Sequence, residues 1–303
     1  MTKKHTSVDA IYAKIESLSD MINNIKPLFG ERIVIKCGGE MMDNESFLEG
    51  LASDIAILRA LGVLVVLVHG AGSQLDKTLA KLKIKNEFFD GYRVTDSATM
   101  EVVEMVMTGL INKNFVKHLA KQDLNAIGIS GKDGNLITAK KIRRTQRDEG
   151  SNIERIIELG FIGDPSEINI EFLEDLIENS GIIPIISPVA FDKNFATYSL
   201  NADVLACFLG EHLKASKVII MSENNTIRSS NGQIAGAISL ADIEKMLYTA
   251  MIEPKMIIRL KACLSAIKNG VANIHIICTN RKHSLLAEFA SGNTTGTMIY
   301  HEI

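Results

Sequence analysis

Apolar residues recur at helical spacing through Val8, Ile11, Tyr12, Ile15, Leu18, Met21, Ile22 and Ile25, which predicts one amphipathic helix. Thr6 or Ser7 supplies its cap and Pro27 its stop. Beyond it, short runs rich in Val and Ile alternate with amphipathic stretches. "RIVIKC" precedes a helix over 46–61, and "VLVVLV" precedes one over 74–82. "NAIGIS" follows a helical stretch over 99–120, "IIPIIS" one over 170–178, "KVIIMS" one over 202–213 and "IHIIC" one over 257–268. Near-continuous apolar strands alternating with helices predict an α/β fold, a mostly parallel sheet covered on both faces. Between 134 and 163 the pattern shortens around "KKIRRTQRDEG", as a solvated loop or hairpin would. The chain has no internal repeat and no low-complexity tract.

Composition narrows the partners. With 303 residues the chain has room for one large domain or two smaller ones. A net charge of -3 and a pI near 6.2 give no basic surface for nucleic acid. Cys37, Cys207, Cys263 and Cys278 lack C-x-x-C spacing and sit in or beside apolar runs, as buried thiols do rather than zinc ligands or disulfides. The N-terminus "MTKKHTSVDA" has no signal-peptide core, and no run reaches the roughly 18 apolar residues of a membrane span. The expectation is a cytoplasmic protein of small-molecule partners, with no nucleic acid and no membrane.

Ligands of open parallel sheets collect outside the carboxyl ends of the strands. There "IVIKCGGE" places Lys36 at the tip of an apolar strand before Gly38 and Gly39. A lysine at that point meets an anion in a cleft or snorkels to solvent, and both readings stand. "LVVLVHGAGSQLD" runs through Gly70, Ala71 and Gly72 into a helix, a turn small enough for phosphate at a helix N-terminus or for simple tight packing. It is neither G-x-G-x-x-G, since Leu75 stands at the third glycine, nor a P-loop. Arg93 offers a bidentate fork for carboxylate or phosphate, or pairs with Asp90 or Asp96. Asn201 and Asp203 open a helix, where caps are ordinary.

The order of these pieces is more specific than any one of them. "IKCGGE", "VLVHGAGSQLD", "FFDGYRVTDSATMEVVEMVMTGLINKN", "ISGKDGNLITA", "LGFIGD", "IIPIISPVAFD", "NADVLA", "MIEPK" and "GTMI" together resemble the acetylglutamate kinases of the amino-acid kinase family, over about residues 33–299. The resemblance implies a three-layer αβα sandwich around a mostly parallel sheet. It implies an N-terminal helical extension over 1–28, an acyl-amino-acid-binding and dimer half over about 29–198, and a nucleotide-binding half over about 199–303. The implied reaction moves the ATP γ-phosphoryl group to the side-chain carboxylate of N-acetyl-L-glutamate, in arginine biosynthesis. Lys36, Lys255 and Asp203 would be catalytic, with Asp203 between the two lysines. Ala71, Gly72, Arg93 and Ser199 would bind substrate, Arg93 by its α-carboxylate. Gly38, Gly39, Ser222 and Lys255 would serve the nucleotide. Mg2+ would arrive on ATP rather than in a protein cage. Glu288 matches an acidic contact to arginine as inhibitor, and the N-terminal helix suits a homohexamer built from homodimers.

Several positions depart from the family's pattern. Ala71 replaces a glycine and requires φ below zero there. Ser199 replaces an asparagine, shortening a substrate contact. "SENNTI" stands in place of a threonine-aspartate turn, with Ser222 and Glu223 at the changed positions. Thr249 and Ala250 replace glycines, "IICTNR" replaces an aspartate-glycine-arginine turn, and Thr294 replaces a glycine. These leave two alternatives beside the kinase: a kinase for a related acyl amino acid, and a catalytically impaired paralogue acting as a ligand-binding or regulatory subunit. Carbamate, aspartate and uridylate kinases share the first strand-glycine-glycine motif, but "GYRVTD" with "SGKDG" argues against them.

Overall fold

The apolar strand runs assemble into one eight-stranded sheet in a computed structural model, which describes residues 8–147, 154–223, 227, 235–249, 252–279, 281–290 and 294–302. The strand order is Ala237–Ser239, Thr297–Tyr300, Asn273–Cys278, Lys217–Ser222, Arg32–Cys37, Leu64–His69, Ile183–Ser187, Ala126–Ser130. All neighbours are parallel except Thr297–Tyr300 against Asn273–Cys278. The sheet is continuous from one implied half of the chain to the other, because Arg32–Cys37 pairs directly with Lys217–Ser222.

Strand parity decides which face each residue serves. Ile33, Ile35, Val65, Leu67 and Ile185 enter a core with Leu48, Leu51, Ile55 and Leu58 of the helix Glu45–Ala60 and with Phe115. Val34, Val66, Val68, Val218 and Ile220 point the other way, onto Leu205 and Leu209 of the helix Ala202–His212 and Leu260 and Leu264 of the helix Pro254–Lys268. Each such side chain, fully buried, contributes about 1.5–3 kcal/mol. These two layers sandwich the sheet, as expected. Lys36 shares the parity of Val34, so it projects toward the helices Ala202–His212 and Pro254–Lys268.

Element boundaries differ from the pattern reading in informative ways. The helix placed over 74–82 starts two residues earlier, at Gly72, with Ala71 as its N-cap. The region 134–163 forms the hairpin that was one of its two expected readings, and contributes barrel strands besides. Ile137–Lys141 and Ile162–Ile168 close a small barrel with Val189–Phe191 and Thr197–Leu200, while Arg144–Arg147 and Glu154–Ile157 form a hairpin. A second hairpin pairs Phe88–Phe89 with Tyr92–Arg93. The helix Val8–Ile25 forms with the expected bounds and turns at Pro27, but only Ile25 is buried. Val8, Ile11, Tyr12, Ile15, Leu18 and Ile22 remain exposed, so most of its apolar stripe does not pack onto its own domain. Thr6 and Ser7 lie outside the described residues.

Candidate active site

Outside the carboxyl ends of the strands Arg32–Cys37, Leu64–His69 and Lys217–Ser222 opens a cleft of 480 Å3. Lys36, Gly39, Gly70, Ala71, Gly72, Asp203, Ser222, Lys255 and Arg259 line it, with Glu40, Glu223 and Glu253 at its acidic positions. Three helices begin there: Gly72–Lys81, Ala202–His212 and Pro254–Lys268. Their N-terminal N–H groups and dipoles add positive potential to that of the lysines and the arginine, the environment a phosphoryl group requires. The helix Gly72–Lys81 has no side-chain cap. Asn201 caps Ala202–His212 by accepting from the backbone N–H of Asp203 and Val204.

The glycines divide into those that serve packing and those that leave room. A Cβ on Gly39 would lie 2.1 Å from the Gly72 backbone N and 2.6 Å from that of Ala71. One on Gly70 would lie 2.9 Å from the Gly39 N. The two turns therefore nest backbone to backbone, which side chains would prevent. At Gly72 a Cβ would meet nothing within 4 Å, so that position opens toward the cleft. Ala71 has φ -138°, the negative value that its methyl demands. Gly38, with φ -63°, has its N–H on the Met221 carbonyl at 3.2 Å and does not line the cleft.

Asp203 organises the charges. Its Oδ1 lies 2.8 Å from Lys36 Nζ and its Oδ2 accepts from Arg259 Nε at 2.8 Å. Lys36 is 6% exposed, Asp203 7% and Arg259 5%. Burial alone would raise the Asp203 carboxyl, but the adjacent Lys36 ammonium and Arg259 guanidinium outweigh it and hold the group well below the usual carboxylate range. The expectation that Asp203 bridges two lysines is thus corrected: an arginine holds the second oxygen. Lys255 reaches the cleft, but its Nζ sits 5.3 Å from the centroid of the Phe88 ring, a cation–π contact with the hairpin.

An amino acid kinase family model matches residues 31–278. The chain belongs to the amino acid kinase family. An acetylglutamate kinase of Ehrlichia canis (strain Jake) is 39% identical over 93% of this chain and 87% of that protein. Another, of Caulobacter sp. (strain K31), is 35% identical over 96% and 97%. Among solved structures, an N-acetylglutamate synthase from Neisseria gonorrhoeae superposes with TM-score 0.81 at 22% identity, over 95% of this chain. This chain spans only 64% of that synthase's length. A carbamate kinase from Giardia lamblia superposes with TM-score 0.62 at 15% identity, over 90% and 99%. Both superpositions establish the fold, in agreement with the expected architecture.

The turn that follows the strand Leu64–His69 is held by a histidine that the sequence reading left without a role. His69 is fully buried; its Nε2 faces the Asn112 amide nitrogen at 3.2 Å and its Nδ1 faces the Gly70 carbonyl at 3.2 Å. Asn112 also donates to the Ile185 carbonyl at 2.9 Å, tying the turn to the neighbouring strand. These partners suit a neutral imidazole that donates from Nδ1 and accepts at Nε2. Burial lowers its pKa from 6.5 to about 4.

Other expected contacts do not gather at the cleft. Arg93 pairs through Nη2 with Asp76 Oδ1 at 2.7 Å, not with Asp90 or Asp96. It also donates to Asn86 and lies 4.6 Å from the centroid of the Phe88 ring. Ser199 is buried in the strand Thr197–Leu200, its N–H on the Phe161 carbonyl, and does not line the cleft. Glu288 belongs to a separate cavity of 600 Å3 with Asn24, Lys217, His275, Phe289 and Thr294. Its carboxylate meets His275 at 2.5 Å and accepts from Thr295 N and Oγ1. Ser222 and Glu223 do line the cleft. The remainder of the changed turn, Asn224 to Thr226, lies outside the described residues, as do Ala250, Asn280 and the Thr249 side chain.

Proposed function

We propose that this chain transfers the γ-phosphoryl group of ATP to the side-chain carboxylate of N-acetyl-L-glutamate, giving an acyl phosphate, in the cytoplasm. One observation carries the reading: a buried lysine, fixed by a carboxylate, lies where three helix N-termini open onto a glycine-lined cleft. Two anions must meet there, so the demand on the protein is charge neutralisation and alignment rather than proton abstraction. Lys36 Nζ and the N–H groups at Ala71 and Gly72 take the equatorial oxygens of the transferring group. Asp203, held ionised, fixes the Lys36 ammonium and accepts no proton from the substrate. Lys255, with Gly39 and Ser222, serves the nucleotide side.

The cleft's ammonium, guanidinium and N–H groups suit phosphate oxygens, and the carboxylates Glu40, Glu223 and Glu253 line it as well. That lining fits a phosphate ligand that carries Mg2+, with phosphate oxygens and water as the ion's ligands. When bound, the ion neutralises phosphate charge.

Arg93 binds the α-carboxylate of the substrate in competition with Asp76. Ser199, beside Asn201 at the cleft, acts through the backbone it positions. Residues 29–198 form the acyl-amino-acid half and residues 199–303 the nucleotide half. A homodimer is supported by the edge strand Ala126–Ser130, with Ile127 exposed, and by Met105 and Leu110 exposed on the adjacent helix. The exposed stripe of Val8–Ile25 supports pairing of dimers into a hexamer, and the Glu288 cavity, which borders that helix at Asn24, supports arginine as its effector. Size measurements with and without arginine, on the full chain and on a chain starting at Lys26, test the assembly; a dimer in all four removes it.

Activity is tested with Mg-ATP, N-acetyl-L-glutamate and hydroxylamine, which traps the acyl phosphate as a hydroxamate. The expected result is a hydroxamate whose formation Lys36→Ala slows by hundreds-fold, with L-glutamate a poor acceptor. No product from a folded protein would contradict the reading.

A further inference from the structure

We infer that Phe88 is a positioning residue for both substrates, its ring steadying the acceptor's arginine, Arg93, and the nucleotide's lysine, Lys255, before either substrate arrives. This rests on the kinase reading and deepens it.

The hairpin of Phe88–Phe89 and Tyr92–Arg93 turns through Asp90 and Gly91, both at positive φ. Its antiparallel register sets Phe88 directly opposite Arg93, where cross-strand side chains meet. The Arg93 guanidinium carbon lies 4.6 Å from the Phe88 ring centroid, and Lys255 Nζ lies 5.3 Å from the same centroid. Both fall within the roughly 6 Å over which a ring's quadrupole attracts a cation. Arg93 belongs to the hairpin, whereas Lys255 opens the helix Pro254–Lys268. One ring thus touches a cation from each side of the proposed reaction.

The backbone brings the hairpin there independently of the charges. A Cβ on Gly91 would lie 3.1 Å from Lys255 N and 3.1 Å from Pro254 C, so the hairpin's turn rests on the first residues of that helix. Tyr92, on the same hairpin, is 8% exposed and shares a buried cluster with Ile258, while Phe88 is 48% exposed. What the Phe88 ring supplies is therefore electrostatics more than core. Lys255 makes no ion pair among the described residues, and a free lysine stem has much rotamer freedom to lose. The ring limits where that ammonium points at the cleft wall. Arg93 has Asp76 and Asn86 besides, and leans on the ring less. When a substrate carboxylate displaces Asp76, the ring remains to keep the guanidinium in place.

Phe88→Leu keeps the apolar bulk and removes the quadrupole, whereas Phe88→Tyr keeps both. In the hydroxamate assay, Phe88→Leu is expected to raise KM for ATP about threefold to fivefold and the acceptor KM about twofold, with kcat changed less than either. Phe88→Tyr restores both KM values. Calorimetry with Mg-ADP and with N-acetyl-L-glutamate extends the comparison to variants too slow to assay. In a Lys255→Met background, Phe88→Leu is expected to leave Mg-ADP affinity unchanged and still weaken the acceptor; in an Arg93→Ala background the pattern reverses. Unchanged KM values in Phe88→Leu would overturn the proposal. So would a loss of Mg-ADP affinity that persists without Lys255, or a defect that Phe88→Tyr fails to restore.

A readout that needs no substrate keeps this claim apart from the kinase reading. Protons above an aromatic ring resonate upfield. In the ligand-free chain labelled at lysine, the Lys255 ε-methylene signal, assigned by its loss in Lys255→Met, is expected upfield of the other lysines and back among them in Phe88→Leu. If the wild-type chain makes no hydroxamate but this shift is seen, the kinase reading fails and the hold of Phe88 on Lys255 stands. An unshifted signal overturns that hold whatever the acceptor.

Discussion

The two ends of the candidate reaction site are built differently. At the phosphoryl end, Lys36, Asp203 and Arg259 are each less than a tenth exposed and locked to one another, and the glycine turns nest with no room for a methyl at Gly39. At the end proposed for the acyl amino acid, outside the lining of the cleft, Arg93 belongs to a hairpin of two-residue strands and already has Asp76 and Asn86 as partners. The difference follows from chemistry. Transferring a phosphoryl group demands charges fixed before the reaction, since reorganising them at the barrier costs rate. Binding a small dicarboxylate demands a site that can admit it, so an arginine there can exchange one carboxylate for another.

The largest expected effect tests the phosphoryl end. Lys36→Ala removes a buried cation and should lower kcat by hundreds-fold, about 3–4 kcal/mol, measured by hydroxamate formation under saturating substrates. Next comes His69. Its folded pKa, about 4, lies below the unfolded value of 6.5, so the unfolded chain binds the extra proton and stability is complete only above pH 6.5. On lowering the pH toward 4, denaturant titrations should show a loss of about 3 kcal/mol. His69→Gln should flatten that limb.

Arg93→Ala sharpens the contrast from the other end. Loss of a charged hydrogen-bonding pair of about 1.5–3 kcal/mol should raise the acceptor KM about tenfold to a hundredfold and leave kcat nearly unchanged. An equal fall in kcat would mean that Arg93 is as preorganised as Lys36. The smallest effects separate two neighbouring glycines by differential calorimetry. Gly39→Ala should cost about 1–3 kcal/mol, since backbone must move. Gly38→Ala should cost under about 0.5 kcal/mol, since its Cβ would meet only the mobile end of Glu40 and its φ is already negative.

Much of the phosphoryl end was legible because strand parity and turn chemistry are local. The apolar run placed Lys36 at the tip of a strand and Gly70 to Gly72 marked a strand handing over to a helix, while the face that Lys36 projects from became clear only when the helices packed on the sheet. Arg259 was missed for a physical reason: nothing in "MIIRLKACL" distinguishes a buried arginine from one on a solvated helix face until the helix Ala202–His212 packs beside it. The true partner of Arg93, Asp76, lies 17 residues away on a neighbouring element, beyond what spacing can show. The small barrel strands were equally hidden, since short alternating pieces around charged residues look like loops until they find partners.

The most direct measurement is a crystal structure with Mg-ADP, aluminium fluoride and N-acetyl-L-glutamate. The expected result has the fluoride group within hydrogen-bonding distance of Lys36 Nζ and the Gly72 N–H, with Asp203 still held by Arg259. A fluoride group bound away from Lys36, for instance in the 620 Å3 cavity beside Arg143, Arg144 and Lys261, would contradict the assignment of the cleft.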